Sequence, residues 1–223
     1  MWQEFNALIF DMDGTLVDSM PLHLAAWQKT SREFGFTCDA QWLYEQGGVP
    51  SRKIVAMLAQ QQGLDLDAEA VARRKTAHYV ETIGQARPFP AMVELVKAAH
   101  GRHPMAIGTG SLRSNAVIIL QQSGLGQYIQ TVVAADDVTQ HKPAPETFLR
   151  AAQLLAVEPR SCLVFEDTQI GCQAALAAGM ACVLVREGAP DWTTLVRPTS
   201  ERYPLAGAVW LNSGARVVIS SST

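Results

Sequence analysis

The sequence predicts an α/β protein: a mostly parallel sheet flanked by helices, with a small helical segment inserted after the first strand. Three observations carry this. Short apolar runs of strand length recur at 7–10, 105–109, 131–135, 161–165 and 181–185. From residue 91 onward they alternate with segments whose apolar residues fall at helical spacing, a pattern that implies right-handed crossovers and a parallel, Rossmann-like sheet. Between residues 20 and 87 the strand pattern stops and only helical spacing remains.

The first run ends in Asp11 and Asp13, followed by Gly14, Thr15 and then Asp18-Ser19. Successive strand residues alternate in direction, so the two acids are expected on the same side. The inserted segment opens with Pro21, suited to a first helical turn, and carries Leu22, Ala25, Ala26, Trp27 and Phe34 before a stop at Gly35. Ile54, Met57 and Leu58 mark a second helix between Pro50 and Gly63. A third, near 67–84, carries Val71, Ala72, Lys75, Tyr79 and Ile83. Arg87-Pro88-Phe89-Pro90 reads as a linker closing the insertion. A helix near 91–99 leads to the strand at 105–109, and Ser111 is a plausible cap for a helix that stops at Gly124. After the strand at 131–135, residues 143–156 place Phe148, Ala151, Ala152 and Leu155 on one helical face. The strand at 161–165 ends in Glu166-Asp167, a helix spans 168–178, and the last strand is 181–185. This divides the chain into a core of 1–19 with 88–190, a helical cap of 20–87 and an extension of 191–223 with no assigned structure. Residues 209–211 and 217–219 are weak strand candidates.

Composition sets bounds on function. A chain of 223 residues, 48% hydrophobic, can bury a full core. Its net charge of −3, without a run of one sign, gives no electrostatic footprint for nucleic acid. The N-terminus lacks the basic start and apolar segment of a signal peptide. The longest apolar-plus-glycine run, 174–185, has 12 residues and is too short for a bilayer. The expectation is a soluble cytoplasmic protein without a membrane partner, and nothing demands more than a monomer. Cys38, Cys162, Cys172 and Cys182 form no Cys-x-x-Cys pair and read as reduced thiols that pack as small hydrophobes.

The informative feature is where the polar residues fall. Thr109-Gly110-Ser111 end one strand, Lys142 follows another, and Glu166-Asp167 end a third. Each alone has an ordinary explanation: a helix cap, a solvated loop lysine, a favourable charge at a helix start. In a parallel sheet, however, all these ends converge on one rim, the rim of Asp11 and Asp13, where open α/β sheets bind ligands. Close carboxylates repel unless a proton or cation lies between them, and Mg²⁺ takes oxygen ligands of this kind.

Read whole, Asp-x-Asp-Gly-Thr-Leu-x-Asp-Ser resembles the first motif of the haloacid dehalogenase-like (HAD) superfamily. Thr109 matches its second motif, Lys142 in His-Lys-Pro-Ala-Pro-Glu its third, and Glu166-Asp167 in Phe-Glu-Asp-Thr-Gln-Ile-Gly its fourth. The resemblance runs from residue 5 to about 187, and the helical insertion is similar to the cap of the β-phosphoglucomutase-like branch. Within that branch, stretches 104–111 and 132–145 most resemble bacterial fructose-1-phosphate phosphatases. The resemblance implies the HAD fold and hydrolysis of a small sugar phosphate through an aspartyl phosphate. Asp11 would be the nucleophile. Asp13 would be the acid and base, which requires a neutral carboxyl near pH 7. Mg²⁺ would be held by the Asp11 side chain, the Asp13 main-chain carbonyl and Asp167, with Glu166 either an outer ligand or a helix-end charge. Thr109, the Gly110 amide and Lys142 would orient the phosphate. His23, a candidate substrate contact, lies where the branch often has a histidine near the hinge, and Arg52 and Lys75 lie where cap groups of its mutases contact substrate, though a solvated basic face explains those two equally. The alternative is a mutase of the β-phosphoglucomutase type, which the cap residues favour and Thr15 and Leu112 oppose. A non-catalytic binding protein is opposed by four complete motifs.

Overall fold

The computed structural model describes residues 1–198. Its sheet has six strands, β1 (Ala7–Phe10), β4 (Met105–Gly108), β5 (Thr131–Val133), β6 (Cys162–Glu166), β7 (Ala181–Arg186) and β8 (Ala189–Val196), in the order β5-β4-β1-β6-β7-β8. All neighbours are parallel except β7 and β8. The central strand, β1, is buried throughout, which is why it reads as a continuous apolar run. Leu8 lies between Met105 and Leu163, and Phe10 between Ile107 and Phe165.

Alternation sends the strand residues to two separate cores. Leu8, Phe10, Ile107, Leu163, Phe165 and Val183 pack with residues of α5 (Pro90–Ala99) and α6 (Arg113–Ser123). Ala7, Ile9, Ala106, Val164 and Cys182 pack with residues of α7 (Glu146–Leu155) and α8 (Gln169–Ala177). Phe10 and Phe165 stack with ring centroids 4.8 Å apart. Each such fully buried side chain stabilises the fold by roughly 1.5–3 kcal/mol. Asp11 continues the Ala7–Ile9 side and Glu166 the Val164 side, so the acids at these strand ends face the α7–α8 layer.

After β1 the chain forms β2 (Val17–Asp18) and then four helices, α1 (Met20–Phe34), α2 (Ala40–Glu45), α3 (Ser51–Gln62) and α4 (Ala68–Thr82). These bury their own cluster of Trp27, Phe36, Leu43, Ile54, Val55, Leu58 and Val71. The chain returns through β3 (Arg87–Pro88), which pairs antiparallel with β2, Val17 opposite Pro88 and Asp18 opposite Arg87. The stretch read as a linker is therefore half of a short ribbon. α2 has no counterpart in the sequence reading because six residues are too few to display a helical period; Asp39 caps it by accepting from the Trp42 amide at 2.7 Å.

β8 also goes beyond the sequence reading, which left 191–223 unassigned. The strand pairs antiparallel with β7 at the sheet edge and is only half-buried, so its apolar alternation is weak. Pro190 is tolerated because an edge strand leaves one side without ladder bonds. The weak strand candidates at 209–211 and 217–219 lie outside the described residues. Among the described residues no helix is long and apolar enough to cross a membrane. The four cysteines are free, and Cys162, Cys172 and Cys182 are buried.

Candidate active site

The ladder carries the first acid into place: the Asp11 amide donates to the Phe165 carbonyl at 2.9 Å, extending β1 beside β6. The Thr109 amide does the same at the end of β4, donating to the Val133 carbonyl at 2.9 Å. Beyond Asp11 the chain turns. The amides of Leu16 and Val17 both donate to the Met12 carbonyl, and Gly14 takes φ +82°. A Cβ at Gly14 would run into the Asp167 carboxylate, so this turn requires glycine on grounds of space as well as conformation. Strand alternation therefore ends before Asp13, and the two acids, expected on one side, have different neighbours.

Asp11 belongs to a buried cluster. Lys142 Nζ donates to Asp11 Oδ1 at 2.7 Å and to Glu166 Oε1 at 2.6 Å. Lys142 is 1% exposed, Glu166 1% and Asp11 4%, so the lysine is not a solvated loop residue. The other Glu166 oxygen accepts from the amide and hydroxyl of Thr168, both at 2.9 Å. Asp167 Oδ1 accepts from Thr15 at 3.4 Å, while its Oδ2 is buried without a partner. Burial would lower the Lys142 pKa, but Asp11 and Glu166 outweigh it and hold the ammonium above the usual lysine range. Burial, then the charge of Glu166, pushes Asp167 up to about 8. Burial also raises Asp11, with Lys142 opposing and Glu166 and Asp167 adding to the rise. One ammonium thus faces three carboxylates.

That imbalance is the test of whether a divalent cation fits. Asp11, Glu166 and Asp167 each offer a carboxylate oxygen within 4.8 Å of the others. The donors are all hard oxygens, as Mg²⁺ prefers, and the orphaned Asp167 Oδ2 lacks a partner that such an ion would supply. The residues present therefore fit the ion.

Asp13 sits in a second network. Its Oδ1 accepts from Ser19 Oγ at 2.6 Å and from Tyr79 OH at 3.4 Å, with His23 Nε2 at 3.2 Å. Its Oδ2 accepts from Ser111 Oγ at 2.6 Å. On the far side of the imidazole, Lys75 Nζ lies 2.7 Å from His23 Nδ1, and Tyr79 stacks on the His23 ring at 3.8 Å. Burial and the Lys75 charge lower the His23 pKa against the pull of Asp13, and burial pushes Lys75 down to about 8. The consistent pattern is Lys75 donating to a neutral His23, whose Nε2–H donates to Asp13. Burial would raise Asp13, but the hydrogen bonds it accepts from His23, Ser111 and Ser19 outweigh it and hold the carboxyl well below the usual carboxylate range. This corrects the expectation of a neutral Asp13: four donors around one buried carboxyl favour the ionised form.

Thr109 is buried beside these groups, its Oγ1 accepting from the Ser111 amide at 3.0 Å. Gly110 lies where a Cβ would come 2.5 Å from the Gly48 carbonyl, so the loop after α2 rests directly on the sheet rim. Arg52 is 74% exposed and pairs loosely with Glu69 at 3.9 Å; it lines the mouth of the cavity without touching the acids. Asp11, Asp13, Thr109, Gly110, His23, Lys75 and Arg52 all line this cavity, of about 1000 Å³, between the helical segment and the sheet. The sequence reading missed Ser19, Ser111, Tyr79, Thr15 and Thr168. Ser19 and Ser111 do precede helices, but neither caps one; both hydroxyls turn to Asp13.

Comparison with known proteins identifies the family. Residues 8–185 match the family model described as haloacid dehalogenase-like hydrolase. The chain is 44% identical over 187 residues to the fructose-1-phosphate phosphatase YqaB of Escherichia coli, covering 83% of this chain and 99% of that one. It is 29% identical over 179 residues to a phosphorylated carbohydrates phosphatase of Thermotoga maritima, covering 78% and 82% of the two chains. A β-phosphoglucomutase from Clostridium difficile has the same fold, with a TM-score of 0.75 at 24% identity over 83% of this chain and 88% of that one. With a buried lysine between strand-end acids and the family match spanning the whole sheet through β7, the chain belongs to the haloacid dehalogenase-like hydrolases.

Proposed function

We propose that this chain is a Mg²⁺-dependent phosphatase of small sugar phosphates, of the fructose 1-phosphate kind, acting through an aspartyl phosphate. The observation that carries this reading is Lys142, buried and bonded to both Asp11 and Glu166, next to the orphaned Asp167 Oδ2. The similarity to two carbohydrate phosphatases supports the substrate class.

In this reading the Asp11 oxygen not bonded to Lys142 attacks phosphorus, forming the aspartyl–phosphorus bond as the bond to the sugar oxygen breaks. Lys142, Thr109 and the Gly110 amide hold the phosphoryl oxygens, and positioning with charge neutralisation is most of what phosphoryl transfer requires. Asp11, the Asp13 main-chain carbonyl and Asp167 would hold the metal. Glu166, bonded to Lys142 and Thr168, fixes the lysine and adds its carboxylate charge beside the ion. When bound, Mg²⁺ offsets negative charge and lets two anions approach.

Asp13 protonates the departing sugar oxygen and then takes a proton from the water that cleaves the intermediate. Because Asp13 rests as a carboxylate, a proton must reach it first, and Lys75 and His23 form a hydrogen-bonded route from the helical side. The same two residues are the observation that favours a mutase as the second reading, since they would serve equally to steer a phosphorylated sugar.

Asp11→Asn tests the core of this reading. Phosphate release from fructose 1-phosphate with Mg²⁺ should fall by at least about a thousandfold, with circular dichroism and melting temperature little changed. Normal turnover by that variant removes Asp11 as nucleophile. Isomer interconversion by the unaltered protein, without net phosphate release, replaces the phosphatase with a mutase.

A further inference from the structure

The cavity is larger than a phosphoryl group requires, and two of its lining groups have no part in the chemistry above. Asn115, on the first turn of α6, is 6% exposed. Its side-chain amide makes no hydrogen bond to any described residue, and the residue lines the cavity. Trp27, on α1, is 3% exposed and lines the same cavity from the helical segment. Buried polar groups are normally satisfied, and those that are not call for a partner outside the protein.

Both residues are held firmly. The Arg113 amide donates to Asp136 Oδ1 at 2.8 Å, and its guanidinium bonds the Val132 carbonyl and Asp137, which pins the first turn of α6. The Trp27 ring meets Phe36 edge-on at 6.5 Å and carries Lys75 Nζ at 5.5 Å from its centroid. A carboxamide offers donors and an acceptor and carries no charge. Its complement is neutral and hydroxylated. The same cavity is also lined by the charged Arg52, Glu69, Arg73 and Lys75, so Asn115 adds a neutral donor and acceptor to a largely charged lining.

We propose that Asn115 is a specificity-determining residue, bonding a hydroxyl or carbonyl of the substrate's sugar portion. This rests on the phosphatase reading and extends it: the preferred ester is a phosphorylated polyol rather than any small phosphate.

The test compares fructose 1-phosphate with p-nitrophenyl phosphate, which has no hydroxyl to read, using Asn115→Leu, close in size but apolar, and Asn115→Ala. Melting temperatures identify any variant that fails to fold, and the others then decide. For each folded variant, kcat/KM for the sugar phosphate should fall roughly tenfold or more relative to the aryl phosphate, chiefly through KM. A wild-type preference for the sugar ester that both Asn115 variants leave intact, or an equal fall for both esters, overturns the inference alone. Absence of phosphate release from either ester by the wild type overturns the phosphatase reading and this inference with it.

Discussion

Lys142 holds together charges that would otherwise repel. Removing one partner of a buried ion pair costs about 3–5 kcal/mol because the remaining charge is stranded. Lys142→Ala should therefore be strongly destabilised in chelator at pH 7, measured by denaturant unfolding. Burial and mutual repulsion already raise Asp11 and Asp167. Without the ammonium that rise is unopposed, so the variant should regain stability as the pH is lowered and the carboxylates protonate. Lys75 gives the opposite sign. Its pKa in the fold, about 8, lies below the ordinary 10.5, so the unfolded chain binds the extra proton between those values. Stability from this group rises as pH climbs from about 8 toward 10.5. Lys75→Met should lack that rise, read as the difference between the two melting-temperature profiles. Among single residues, the acids and Lys142 were legible because each ends an apolar run. Ser19 and Ser111 were not, because a hydroxyl before a helix looks the same in sequence whether it caps the helix or turns to a neighbouring carboxylate.

At the level of elements, the start of α8 joins fold to site. Thr168 Oγ1 accepts from the Gly171 amide at 3.1 Å, capping the helix, and donates to Glu166, which grips Lys142. Thr168→Ala should cost about 1 kcal/mol for the lost cap, seen as a lower melting temperature. It should also reduce turnover, because Glu166 loses a bond that fixes it. Thr168→Ser, which can make both bonds, should recover most of each. The parallel strands were legible because burial on both faces makes them unbroken apolar runs. β8 was not, since a half-buried edge strand has little hydrophobic contrast, and α2 was not, since it is shorter than two helical turns. The β2–β3 ribbon hides behind Pro88, a residue that argues against a strand until its place at an edge is known.

The molecule as a whole concentrates negative charge at one rim and leaves it incompletely offset. Because Asp167 is pushed up to about 8, a proton competes with any cation for that carboxylate at lower pH. Added Mg²⁺ should raise the melting temperature, and by more at pH 8 than at pH 5, since ligand that binds only the folded state stabilises it in proportion to its affinity. An equal gain at both pH values, or none, would count against these acids as the binding site. The rim was foreseeable from parallel topology; the division of its acids into a lysine-bound cluster and a serine-bound network was not, because it depends on a turn at Gly14 that no periodicity announces. The ribbon has a consequence for how such a molecule can be rebuilt. Asp18 and Arg87 face each other across a single pair of strands, so the path out of the sheet and the path back begin side by side. Neighbouring strands run about 5 Å apart, a gap that a very short splice can bridge. The four helices thus leave and rejoin the β1–β4 connection at one point, while Ala26 of α1 and Tyr79 of α4 still share the core of Leu16, Val17 and Met92.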